Sequence, residues 1–247
     1  MLVSTGAVYG LAATPAFGFE RLEIRGTSLT TEGAIRQQLG LAPGTNLVGL
    51  TTDPIEARLR QLPPVDAVEV SVGLPNVLQV DVTERRPIVI WAVADRRYAV
   101  DASGVLFADV SKDTTGATRS IPVIVDERTS ALPLGVTSTL DPVDLDAATR
   151  LGSVTPDQIG SRAASFRVHV TDDRGFTLTT GKGGWVAIFG FYVRNQRTPD
   201  LIKGQVQLLA ALLAGREDTV DTVVLADDKE GTYTPRATPR PSATPKP

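Results

Sequence analysis

Between Arg21 and Arg25 apolar residues take every second position. Leu22 and Ile24 alternate with Arg21, Glu23 and Arg25, which is the period of a half-buried strand. Gly26 breaks the alternation. Thr30 or Thr31 then offers a cap for a short helix in which Ile35 and Leu39 lie one turn apart, and Gly40 suits its left-handed end. A second helix is predicted to open at Asp53 as N-cap, with Pro54 at the first helical position and Glu56 completing a capping-box-like arrangement. Ile55, Leu59 and Leu62 form its buried stripe, and Pro63-Pro64 ends it. Val68, Val70 and Val72 alternate again, as do Leu78, Val80 and Val82, across a hairpin connection at Gly73–Asn76. Strand, helix, helix, strand, strand gives three strands with one apolar face that two amphipathic helices can cover.

Beyond Pro87 the strand pattern resumes. Ile88–Val93, Tyr98–Val100 and Val105–Phe107 read as a meander whose second turn is Asp101–Gly104, and Ile121–Val125 as a further strand after the polar loop Ser111–Ser120. Asp141-Pro142 opens a helix with Val143, Ala147 and Leu151 on one face and Gly152 as terminator. Phe166–Val170, Phe176–Thr180 and Trp185–Phe189 are three strands joined by turns at Asp172–Gly175 and Gly181–Gly184. Thr198-Pro199 begins the last helix, with Ile202, Val206, Leu209 and Leu213 as its stripe and Gly215 as its end. Val220–Leu225, a polar turn at Asp227–Gly231 and a short edge strand at Thr232–Thr234 complete the folded part. From Pro235 to Pro247 the Pro, Thr, Ala and Ser composition predicts an extended, disordered tail.

The 247 residues, 42% of them hydrophobic, suffice for one large or two small domains with a proper core. A net charge of −3 and two small basic spots, Arg85-Arg86 and Arg96-Arg97, exclude a broad nucleic-acid surface. There is no cysteine, hence no disulfide framework and no thiolate metal site. His169, the single histidine, falls on the outward side of its strand, and no Gly-x-Ser-x-Gly elbow accompanies it. Gly181–Gly184 joins two strands and lacks the spacing of a phosphate loop. Asp227, Asp228 and Glu230 are interrupted by Lys229, and Asp172-Asp173 is turn chemistry. No catalytic, cofactor-binding or metal site is expected.

The first unit resembles a POTRA domain, specifically that of the FtsQ/DivIB family of bacterial cell-division proteins. The resemblance rests on Phe17–Gly26, Leu41–Leu47, Leu62-Pro63 with Val65, Gly73–Pro75 and Val82–Pro87, in this order and spacing. Pro64 departs from it, since the family usually carries an aromatic residue there. Tyr98–Phe107, Gly184–Gly190 and Lys203 extend the likeness into the second half, to about Tyr233. The fold implied is α+β: a POTRA domain at 19–87, then a mostly antiparallel β-domain with two helices at 88–234. Residues 1–18, uncharged but diluted by Ser, Thr, Gly and Pro, would be the remnant of a membrane anchor.

The function implied by the resemblance is a non-enzymatic divisome scaffold, single-pass in the cell membrane with both domains extracytoplasmic. Its partners would be FtsB/DivIC-like and FtsL-like coiled-coil proteins, with no nucleic acid and no cofactor. The alternatives are a POTRA module of outer-membrane assembly or secretion machinery, which calls for further repeats or barrel strands, and an extracytoplasmic hydrolase. In the family the C-terminal strands leave an open edge to which the partner's extended segment adds. Here that assigns partner binding to Thr222, Val224, Leu225, Thr232, Tyr233 and Thr234. Tyr233 either anchors the partner or packs beside Val224.

Overall fold

The computed structural model describes residues 15–113, 116, 118–181 and 183–237. The expected anchor remnant lies mostly outside these residues, as does the expected tail beyond 237. The chain divides into two compact units, one running to Arg86 and taking in the segment at Lys112, the other comprising Pro87–Ser111 and the chain from Thr118. Among the described residues no helix is long and apolar enough to cross a membrane.

The first unit runs β1 (Arg21–Arg25), α1 (Glu32–Leu39), α2 (Asp53–Leu59), β2 (Val65–Gly73) and β3 (Val77–Glu84). β3 lies in the centre of the sheet, parallel to β1 and antiparallel to β2. Ile35, Leu39, Ile55 and Leu59 pack over Val68, Val70, Leu78, Val80 and Val82, as the two periodicities require. Thr31 is the cap of α1, its hydroxyl accepting from the Ala34 N–H at 3.2 Å. Gly26 is obligatory after β1: its φ is +80°, and a Cβ there would lie 2.0 Å from the Val82 carbonyl oxygen.

The opening of α2 corrects the sequence expectation. Asp53 is already helical, Thr52 precedes the helix without a side-chain cap, and no capping box forms. Glu56 is drawn elsewhere. Its carboxylate accepts from the Val70 N–H of the outer strand β2 at 3.1 Å and from Arg60 at 2.7 Å. An unpaired edge N–H is a stronger claim on a carboxylate than a helix terminus that water reaches.

The second unit is a nine-stranded sheet with α-helices packed into its core. Its strands are β4 (Val89–Val93), β5 (Arg96–Val100), β6 (Leu106–Asp109), β7 (Val123–Asp126), β8 (Arg167–Thr171), β9 (Gly175–Thr179), β10 (Val186–Gly190), β11 (Val220–Leu225) and β12 (Gly231–Pro235). Their spatial order is β12-β11-β10-β9-β8-β7-β4-β5-β6. Most neighbours are antiparallel; β4–β7, β7–β8 and β10–β11 are parallel. Parallel neighbours need crossovers. α3 (Pro142–Gly152) and α4 (Pro156–Ile159) connect β7 to β8, and α5 (Ile202–Leu213) connects β10 to β11. Ala147, Ala148 and Leu151 of α3 and Ile202, Leu209 and Leu213 of α5 bury against Trp91, Val168, Leu178, Ala187 and Val223.

Asp141 caps α3 as expected, accepting from Val143 N–H at 2.7 Å. Gly152, expected as its terminator, is instead its last helical residue; a Cβ there would approach Pro122 to 2.8 Å, so glycine serves close packing. The short α4 was not anticipated, although Thr155 and Gln158 form a reciprocal capping box and Gly160 ends it at φ +69°. Thr198-Pro199 opens a 3₁₀ turn, Pro199–Leu201, before α5 begins.

Candidate partner-binding edge

The C-terminal hairpin places the sheet's outermost strand. β12 pairs antiparallel with β11, in the register Leu225↔Gly231, Val224↔Thr232, Val223↔Tyr233 and Thr222↔Thr234. Among the described residues no strand flanks β12 on its other side. β11 lies between β10 and β12, so the backbone of Thr222 and Val224 is committed to the ladders, and the Leu225 carbonyl to side chains beside β10. Among the described residues the free edge at this end of the sheet is therefore that of β12.

Three observations fix which groups of β12 face outward. The Ala226 N–H donates to the Glu230 carbonyl at 2.9 Å, and the Arg236 N–H to the Thr219 carbonyl at 2.7 Å. The Leu225 carbonyl turns toward β10, where Arg197 and Gln205 reach it. In an antiparallel ladder hydrogen-bonded and open pairs alternate. Thr232 and Thr234 thus spend their N–H and C=O on Val224 and Thr222, while Gly231 and Tyr233 direct theirs, and Pro235 its carbonyl, away from β11. Thr232, Tyr233 and Thr234 are all exposed. Tyr233 lies opposite buried Val223, on the opposite face from Val224, so it does not pack beside Val224. The Arg216 guanidinium covers its ring at 5.3 Å and Nη1 donates to its hydroxyl at 3.3 Å. Val224, 42% exposed, shares the other face with Thr222, Thr232 and Thr234; Leu225 is buried.

Both ends of the hairpin are pinned by polar side chains that hydropathy patterning missed. Gln205 is fully buried within α5. Its amide nitrogen donates to the carbonyls of Phe189 at 3.4 Å and Leu225 at 3.2 Å, and its amide oxygen accepts from the Tyr192 hydroxyl at 2.7 Å. Arg197 donates to the same two carbonyls at 2.6 and 3.0 Å, and also to Ala226. These groups close the end of the parallel β10–β11 pair. Burial raises the Tyr192 phenol above its ordinary range, against the opposing field of Arg197. Before β11, the Glu217 carboxylate accepts from Ser161, from Trp185 Nε1 at 3.0 Å and from the Arg162 N–H at 3.1 Å. Burial would raise this carboxyl, but those hydrogen bonds outweigh it and hold it below the usual range. The turn itself sits tightly on α5: a Cβ at Gly204 would come within 2.4 Å of the Asp228 Cβ.

The residues screened for chemistry are dispersed. His169 is a half-exposed residue of β8 whose Nδ1 lies 3.4 Å from Glu127. Asp172 caps Thr129 through its N–H and hydroxyl, both at 2.9 Å. Asp227 accepts from the Lys229 and Glu230 N–H groups within its own turn. Among the described residues no group of three or more His, Asp or Glu is placed to hold a metal ion.

Residues 17–85 match the family described as "POTRA domain, FtsQ-type". The cell division protein FtsQ of Streptomyces coelicolor is 30% identical over 185 residues, spanning 74% of this chain and 69% of the relative. FtsQ of Streptomyces venezuelae is 35% identical over 132 residues, 53% of this chain and 47% of the relative. FtsQ of Syntrophotalea carbinolica is 28% identical over 226 residues, 91% and 78% of the two. The likeness thus runs through both units, and the chain belongs to the FtsQ family of cell division proteins.

Proposed function

We propose that this chain is a non-enzymatic scaffold of the division machinery that captures an extended segment of an FtsB/DivIC-like partner, acting together with an FtsL-like protein, by adding it to β12. The chain would link early and late division proteins, held in the cell membrane by a single-pass N-terminal anchor with both units outside the cytoplasm. The outer edge of β12, which no strand flanks among the described residues, carries this reading. An edge strand presents a row of unpaired N–H and C=O groups, and a second chain can complete the ladder. Tyr233, exposed and propped by Arg216, adds a flat surface with a polar tip beside those groups.

Proline scanning tests it at the position where the donor faces out. Thr232 and Thr234 bond inward, so proline there would break the hairpin itself. Tyr233→Ala removes the ring alone, and Tyr233→Pro removes the ring and the outward donor. Binding of the purified extracytoplasmic fragment of the FtsB-like protein should weaken at least tenfold further in Tyr233→Pro than in Tyr233→Ala, at matched melting temperatures. Equal affinity of the two variants would place the partner elsewhere.

A further inference from the structure

We infer that Pro235 sets the length and register of the strand that the β12 edge accepts. This rests on the reading just given. Three residues of β12 turn their backbone outward, Gly231, Tyr233 and Pro235. The first two offer both a donor and an acceptor; Pro235 offers a carbonyl only. Its outward placement follows from the ladder: Val220 stands opposite Pro235, and that pair is bracketed by the Arg236 N–H bond to the Thr219 carbonyl, so Pro235 itself is not a bonded member. A bulge between Val220 and Thr222 keeps the alternation in step.

An antiparallel strand laid on this edge forms two complete rungs, one at Gly231 and one at Tyr233. At Pro235 its N–H can still reach a carbonyl, but its own carbonyl meets the ring and stays unpaired. The edge therefore fits a short extended segment, about five residues long, that ends or turns to solvent opposite Pro235. Sliding the segment along the edge brings a carbonyl from its middle against the proline, and that carbonyl loses its donor. The proline thereby reads register, and it limits the bare edge as proline does on outer strands generally. The two faces of the segment meet different surfaces: the residue opposite Tyr233 lies on the Arg216 side, and those opposite Thr232 and Thr234 lie on the threonine side.

Residue-resolved amide exchange on the full chain, free and saturated with the FtsB-like fragment, tests this against Pro235→Ala. In the wild type the Gly231 and Tyr233 amides should slow on binding. In Pro235→Ala the new amide at position 235 should slow as well, and affinity should rise about fivefold, the equivalent of one net hydrogen bond. Slow exchange of the Arg236 amide in the free variant verifies that the hairpin is intact; Pro235→Val, with a strand-favouring side chain, repeats the test if it is not. No slowing at Gly231 and Tyr233 in the wild type would contradict binding at this edge. Slowing there, with position 235 exchanging freely in both variants or with affinity unchanged, would overturn the role of Pro235 alone.

Discussion

The two edges of the nine-stranded sheet are treated in opposite ways. At β6 the chain covers the start of the strand: Leu106 donates to the Ser138 carbonyl at 2.9 Å and accepts from the Thr137 N–H at 2.7 Å, and Leu140 donates to Gly104 at 2.9 Å. Val105 and Thr139 form an isolated bridge in the same seam. That cover bends back through Thr137 at φ +77°, a conformation that non-glycine residues rarely adopt. At β12 nothing comparable is found among the described residues. A third edge, β2 of the POTRA unit, is closed in part by the Glu56 carboxylate on the Val70 N–H. Uncovered strands invite pairing with another chain, and the proposed partner binding rests on this difference between β6 and β12.

Three substitutions probe that contrast, beginning with the largest effect. Gln205→Ala should destabilise the second unit by about 2–4 kcal/mol, because it leaves a void, strips the Tyr192 hydroxyl of its acceptor and leaves the Phe189 and Leu225 carbonyls with Arg197 as their remaining side-chain donor. Partner binding should fall with it, while amide exchange at Leu106 and Thr137 stays slow; a denaturant midpoint equal to wild type would mean that the hairpin is held by other means. Glu56→Ala should cost about 1–2 kcal/mol by leaving the Val70 N–H unpaired and should leave binding at β12 unchanged. Faster exchange of the Val70 amide is the diagnostic reading, and unaltered exchange would contradict the role given to Glu56.

The smallest effect concerns acid. Burial raises the Glu84 carboxyl, but hydrogen bonds from Thr30, Ser28 and Leu29 outweigh it and hold it below its ordinary value of 4.5. The folded value lies under the unfolded one, so its contribution is present above about pH 4.5 and is lost as pH falls through the folded value. Glu84→Gln should therefore destabilise the POTRA unit at neutral pH and progressively less in acid. A constant difference between the two melting curves across pH would contradict this.

Strand positions were legible because burial on one face imposes a period of two, and Val68–Val72, Leu78–Val82 and Phe166–Val170 obey it. Pairing was not legible. Val220–Leu225 and Thr232–Thr234 are both β-branched and apolar enough to be an outer strand, and only the crossover through α5 makes the first internal. The stripe Ile202, Val206, Leu209 and Leu213 was read by hydropathy, which passes over Gln205 although that residue is as deeply buried as Leu209. Its burial depends on two carbonyls and a phenol brought together from β10, the loop after it and β11. A signal for α4 was present in Thr155, Pro156, Gln158 and Gly160, but a helix of four residues shows no apolar period.

The most direct test sets the two edges side by side. A photo-crosslinking side chain placed at exposed Thr234, beside the open edge, and another at exposed Thr139, beside the covered one, report where the FtsB-like fragment lies. The account predicts a crosslinked adduct from position 234 and none from position 139. Crosslinking from 139, or equal yields from both positions, would contradict it.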